Sequence, residues 1–123
     1  MALLNVELPS KIGDFVSAIV DTEHPKLLEA FQVQSHPLKF FSLQVPLKGL
    51  LTPVLLRSDH APFWLKGTGA VMVSDTGFLR NPHYHRPSDT PDTLDYDFLT
   101  QSTELVAQAT YSLLQTEVDL DDI

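Results

Sequence analysis

The run Phe15-Val16-Ser17-Ala18-Ile19-Val20 constrains this chain more than any other feature. Both of its alternating faces are apolar or small, so as a strand it has no side to present to water. Such a strand belongs inside a sheet, with other elements packed above and below it. The chain must build an α/β layer structure around it. Its 123 residues suffice for one small domain and not for two, so residues 1–123 read as a single domain.

The flanking sequence supplies the cover. Pro25 fits the first turn of a helix, where a missing N–H costs nothing, and Leu27, Leu28 and Phe31 fall on one side of it. That helix should stop before Pro37. In Phe40–Val45, Phe41, Leu43 and Val45 alternate with Phe40, Ser42 and Gln44, which predicts a half-exposed strand ending at Pro46. After a loop over 48–53, Asp59 is a candidate cap for a short helix with Pro62 in its first turn and Gly67 as its stop. Ala70–Val73 reads as a third, short strand. Residues 74–94 read as a long loop, the kind that is usually functional or disordered. The last element is a helix over Tyr96–Leu114, capped by Asp95, with Phe98, Leu105, Val106, Ala109 and Leu113 on one face. Three strands and two substantial helices make a thin α/β sheet that reads as part of a larger mixed one.

Composition removes several function classes. The net charge of −8 repels phosphate backbones, so a nucleic-acid partner is not expected. No apolar run reaches the length of a membrane span, and a membrane partner is not expected either. Met1–Glu7 has no basic start and no small-residue cleavage site, which does not fit a signal peptide, and a cytoplasmic location is the default expectation. The acidic residues of 117–122 read as a frayed, solvated tail. With no cysteine, any metal must be held by histidine and carboxylate.

Two segments stand out chemically. In Asn81-Pro82-His83-Tyr84-His85-Arg86-Pro87-Ser88-Asp89-Thr90, two histidines lie two residues apart. On a strand-like segment they would share a side and could share a metal, with Asp89 near enough to orient an imidazole. The alternative is a polar loop with solvated imidazoles. In Arg57-Ser58-Asp59-His60, an Asp–His pair at a helix start would orient a base or hold a substrate amine, or would be only a cap with a neighbouring histidine. His24 and His36, each before a proline, read as structural or solvated, and Trp64 as core or subunit contact.

The two segments also carry a resemblance. Arg57-Ser58-Asp59-His60-Ala61-Pro62-Phe63-Trp64 resembles the Ser-Asp-His-x-x-Phe segment of the co-catalytic di-zinc aminopeptidases, the group that includes bacterial and vacuolar leucyl aminopeptidases. Glutaminyl cyclases and the transferrin receptor ectodomain are relatives. Tyr84–Leu94 resembles that family's closing His-x-x-x-Asp-Thr segment, and Ala70–Thr76 matches as a strand ending in Asp-Thr. The resemblance implies a partial zinc-peptidase (phosphorylase/hydrolase-like) three-layer fold, the C-terminal portion of a catalytic domain. It implies His85 as the last zinc ligand, Tyr84 as a donor that polarises the scissile carbonyl, and Arg57, Asp59, His60 and Phe63 on the substrate side, with Phe63 packed under the pocket. The activity implied is hydrolysis of N-terminal peptide bonds.

The departures are as informative. The family takes further ligands from a His-x-Asp segment, a Glu-Glu pair that includes the general base, and another acidic residue. This sequence holds no His-x-Asp and no Glu-Glu. One ligand does not hold two zincs. The expectation is a chain that is inactive alone and that binds zinc only as part of a completed site, or binds none. A peptide substrate is expected only in the completed site. The alternative is a non-catalytic interaction module on the same fold. Either way an exposed sheet edge favours a homo-oligomer or contact with another chain.

Overall fold

The computed structural model describes residues 9–32 and 37–115. His36, the end of the expected first helix and the acidic tail lie outside the described residues. Within them, β1 (Phe15–Asp21), β2 (Lys39–Val45) and β3 (Met72–Ser74) form one mixed sheet in the order β2-β1-β3. β1 runs parallel to β2, with Ile19 opposite Leu43, and antiparallel to β3, with Ala18 opposite Val73. Two helices complete the frame, α1 (Ala61–Leu65) and α2 (Tyr96–Gln115).

The doubly apolar run is the central strand, as its sequence requires, and every residue of β1 is buried. Alternation divides its cover. Val16, Ala18 and Val20 face α2 and the turn Pro25–Phe31, where they pack with Leu28, Phe31, Leu38, Leu105 and Ala109. Ile19 points the other way, into a cluster with Val45 and Trp64 that Leu43, Leu55, Leu56 and Met72 extend. Phe15 on that side meets Phe41 edge-on. The result is a three-layer α/β arrangement in miniature. In β2, Ser42 and Gln44 are exposed between partly or fully buried neighbours, the half-exposed pattern expected of it.

Several boundaries differ from the sequence expectation. Pro25–Phe31 is a 3-10 helix rather than an α-helix and ends at Gln32. No side chain caps its start, because the His24 imidazole turns back to Asp21 instead of toward the open amides. β3 begins at Met72, not Ala70. The Ala70 carbonyl accepts the Trp64 indole N–H at 2.9 Å, which fastens this stretch to α1 before the ladder starts. The residue at the start of α1 is His60 rather than Asp59, and no side chain caps the helix. Pro46–Gly49 and Pro53–Leu56 put 3-10 turns on either side of the expected loop, with Leu47 and Lys48 in left-handed conformations. α2 matches its expected span, and the Asp95 carboxylate accepts the Phe98 amide at 3.0 Å as its cap.

α1 is held by its inward residues. Trp64 is fully buried, and the His60 ring meets it edge-on with centroids 4.3 Å apart. His60 Nε2 donates to the Leu55 carbonyl at 2.6 Å, so Nδ1 is the unprotonated nitrogen, and it is buried without a partner among the described residues. Burial holds this imidazole below the ordinary histidine value, against the pull of the Leu55 hydrogen bond and the Asp59 charge.

Two predictions follow from these anchors. Replacing Asp95 with alanine should lower the unfolding free energy by about 1 kcal/mol in urea titration, the usual loss for an N-cap acceptor. The His60 effect has a definite sign. The unfolded chain protonates this residue first, so its contribution is fully present above about pH 6.5 and drains as pH falls through that value. Thermal unfolding from pH 7.5 to 5.5 should show a falling midpoint. His60→Gln, whose amide can replace the Nε2 donor, should remove that part of the fall.

Candidate functional site

The segment after β3 is built from short-range turns. The Thr76 amide donates to Ser74 Oγ at 2.9 Å and the Gly77 amide to Asp75 Oδ1 at 2.7 Å, which turns the chain sharply as it leaves the sheet. Thr76 and Gly77 both have positive φ, 71° and 47°. Gly77 is also needed for space, since a Cβ there would lie 3.1 Å from the Tyr84 ring. The Asn81 side chain then accepts the His83 amide at 2.9 Å, and the Asn81 carbonyl accepts the Tyr84 amide at 3.3 Å. The fold thus brings Tyr84 back over Gly77.

His85 follows in the left-handed region, with φ of 55°. Histidine is among the residues that visit this region, at a cost on the order of 1 kcal/mol. Its ring stacks on Tyr84 with centroids 4.1 Å apart, and Phe78 packs against the far edge of the pair at 6.2 Å. Both Tyr84 and His85 are exposed. Neither the His85 ring nor the Tyr84 hydroxyl makes a hydrogen bond among the described residues, so both polar ends are available to a ligand.

His83 and His85 do not share a side in the way an extended segment would place them. The backbone between them is turned, not strand-like, with the Arg86 amide donating to the His83 carbonyl at 2.9 Å. His83 Nδ1 lies 3.0 Å from Ser88 Oγ, while His85 faces Tyr84. Asp89 does not orient either imidazole; its amide closes a turn onto the Arg86 carbonyl at 2.9 Å, and its side chain is exposed. The carboxylate that senses His83 is Asp92. Hydrogen bonding from Thr90 first, and the nearby His83 charge last, hold its carboxyl below the ordinary value.

The other block divides into an outer and an inner part. Arg57 and Asp59 are exposed, whereas His60 is turned into the core. Phe63 is not covered among the described residues: it is 52% exposed, because Ala61 and Trp64 take the inward positions of the single turn of α1. Among the described residues no hydrogen bond or ring contact joins this block to Tyr84 or His85. Nor do three or more histidine and acidic side chains converge as a metal cluster there. Two clefts flank the start of α2, and none of the candidate residues lines either.

Sequence reading passed over Arg80, which joins the turn to the start of β1 and showed in the sequence only as a lone cation. Of the two roles expected for His24, it takes the structural one: its Nδ1 lies 2.7 Å from Oδ1 of the fully buried Asp21. The Asp-x-x-His spacing at the end of an apolar strand was the available signal.

Comparison with known proteins places the sequence in a family. A family model, Peptidase family M28, matches residues 3–110. An Escherichia coli (strain K12) protein described as "Uncharacterized protein YfbL" is 33% identical over 103 residues, a match covering 81% of this chain and 31% of that protein. The chain therefore spans about a third of the length of this curated relative. No solved structure matches. With the family match running through the sheet, α1, the His83–His85 segment and most of α2, this chain belongs to peptidase family M28.

Proposed function

We propose that this chain supplies the closing segment of a zinc aminopeptidase site, with His85 as one metal ligand and Tyr84 as the donor beside it. The observation that carries the reading is the exposed Tyr84–His85 stack, in which a strained left-handed backbone presents an imidazole whose nitrogens make no hydrogen bond among the described residues. Strain of this kind collects at functional positions. The Tyr84 hydroxyl would donate where negative charge develops on a carbonyl oxygen. Arg57 and Asp59 would line the substrate side as exposed charges. His60 would support them from within, and Phe63 offers an apolar surface to a substrate side chain.

The residues described here do not fit a complete zinc centre. A lone imidazole does not hold a catalytic zinc, which takes three protein ligands. The sequence has no His-x-Asp or Glu-Glu segment from which to draw the others. The remaining ligands and the general base would come from outside this chain, and hydrolysis of N-terminal peptide bonds would belong to the completed assembly. The same observation favours a second reading, a non-catalytic module that pairs with itself or another chain through the outer edge of β2, which meets no further strand among the described residues.

Calorimetric titration of the metal-stripped chain with zinc separates these readings. With one imidazole supplied, a ligand role predicts only weak zinc binding by the isolated chain, which falls more than about tenfold further in His85→Ala, by analogy with the loss seen even for groups behind metal ligands. The isolated chain should show no aminoacyl-nitroanilide hydrolysis. Zinc affinity unchanged by His85→Ala would sink the ligand role. Light scattering is the companion measurement: association that grows with concentration is expected, and a clean monomer at high concentration would remove the edge-pairing reading.

A further inference from the structure

Arg80 ties the turn that carries Tyr84 and His85 to the central strand. Its Nη2 donates to the Phe15 carbonyl at 2.9 Å and to the Asp75 carbonyl at 2.7 Å. Its Nη1 donates to the Ile12 carbonyl. Its Nε donates to Thr76 Oγ1 at 2.7 Å. The guanidinium carbon lies 3.6 Å above the Phe15 ring, and the Asp75 and Asp14 carboxylates supply opposing charge. Ile12 and Phe15 lead into β1, whereas Asp75 and Thr76 leave β3. One side chain therefore joins the beginning of one strand to the end of its antiparallel neighbour. A lysine has no planar fork with which to reach these acceptors together.

The path from Arg80 to the site is short. Its own amide and that of Asn81 both donate to the Gly77 carbonyl, at 3.1 and 2.9 Å. Asn81 holds the His83 and Tyr84 amides, and the Tyr84 ring rests on Gly77. The left-handed Thr76 at the root of the turn is fixed through its hydroxyl by Arg80 Nε.

We propose that Arg80 is a positioning residue: its guanidinium fork fixes the 75–85 turn on the N-terminal end of β1 and so sets where Tyr84 and His85 stand. The inference rests on the reading of those two residues as site residues, but its test needs no metal. Proton NMR of the whole chain should show a Tyr84 ring contact with Gly77 Hα, and His85 ring protons shifted upfield by the stacked Tyr84. In Arg80→Met the Ala18–Val73 cross-strand contact should remain, while the Tyr84–Gly77 contact and the His85 upfield shift are lost. Arg80→Lys should weaken both signals and decides the matter if the methionine variant does not fold. Full retention of both signals in a folded variant would overturn the proposal. So would unfolding of both variants, which would make Arg80 a requirement of the whole sheet. Zinc affinity unchanged by His85→Ala would sink the functional reading and leave these signals unaffected.

Discussion

A strand buried on both faces cannot be stabilised by one partner layer, and β1 imposes that requirement on everything around it. Val16, Ala18 and Val20 need α2 and the Pro25–Phe31 turn; Ile19 needs Trp64 and the segment that carries it. One of the two cores built on β1 therefore closes only with the C-terminal helix, while the other is made with Val45 and Trp64. Covering layers of this kind dominate the favourable side of folding, because apolar burial scales with the area taken from water. The same strand also anchors the candidate loop, since the Phe15 carbonyl and ring are both held by Arg80. Sheet and loop thus share their point of attachment.

At the other end of β1 the apolar logic breaks. Asp21 is fully buried in a strand otherwise made of apolar and small residues. A carboxylate there is tolerable only if it is well bonded. Its Oδ1 takes the Glu23 and His24 amides at 3.1 and 3.0 Å and the His24 ring at 2.7 Å, while Oδ2 has no partner among the described residues. Gly69 packs so closely on the His24 ring that a Cβ there would sit 2.9 Å from it. The pair closes the turn after β1 and stops the strand, work that an apolar residue at position 21 could not do.

Most of the frame was legible because it rests on periodicities. β1, β2 and α2 each carry a pattern that only one secondary structure satisfies, and the Asp95 cap marks the start of α2. What was not legible depends on contacts between distant residues. The start of β3 shifts because an indole six residues earlier binds the Ala70 carbonyl. The histidines at 83 and 85 separate because local turns, set by Asn81 and by positive φ at Thr76 and His85, replace the extended backbone that alternation assumes. The resemblance places Phe63 on the substrate side beneath a pocket, but a helix of only five residues has few inward positions, Ala61 and Trp64 occupy them, and Phe63 is left exposed.

The same contrast separates what this chain can do from what its family does. A fold tolerates division when each strand finds cover on both faces, and β1 finds it within the described residues. A two-metal site does not divide in that way, because each ion needs several ligands at once and the loss of any one is felt by all. His85 and Tyr84 are held by bonds entirely within 74–86 and by the start of β1, so their arrangement requires no other part of a catalytic centre to be present. A turn braced in this way presents the Tyr84 hydroxyl and the His85 imidazole in a fixed relation to the sheet, whatever group they meet.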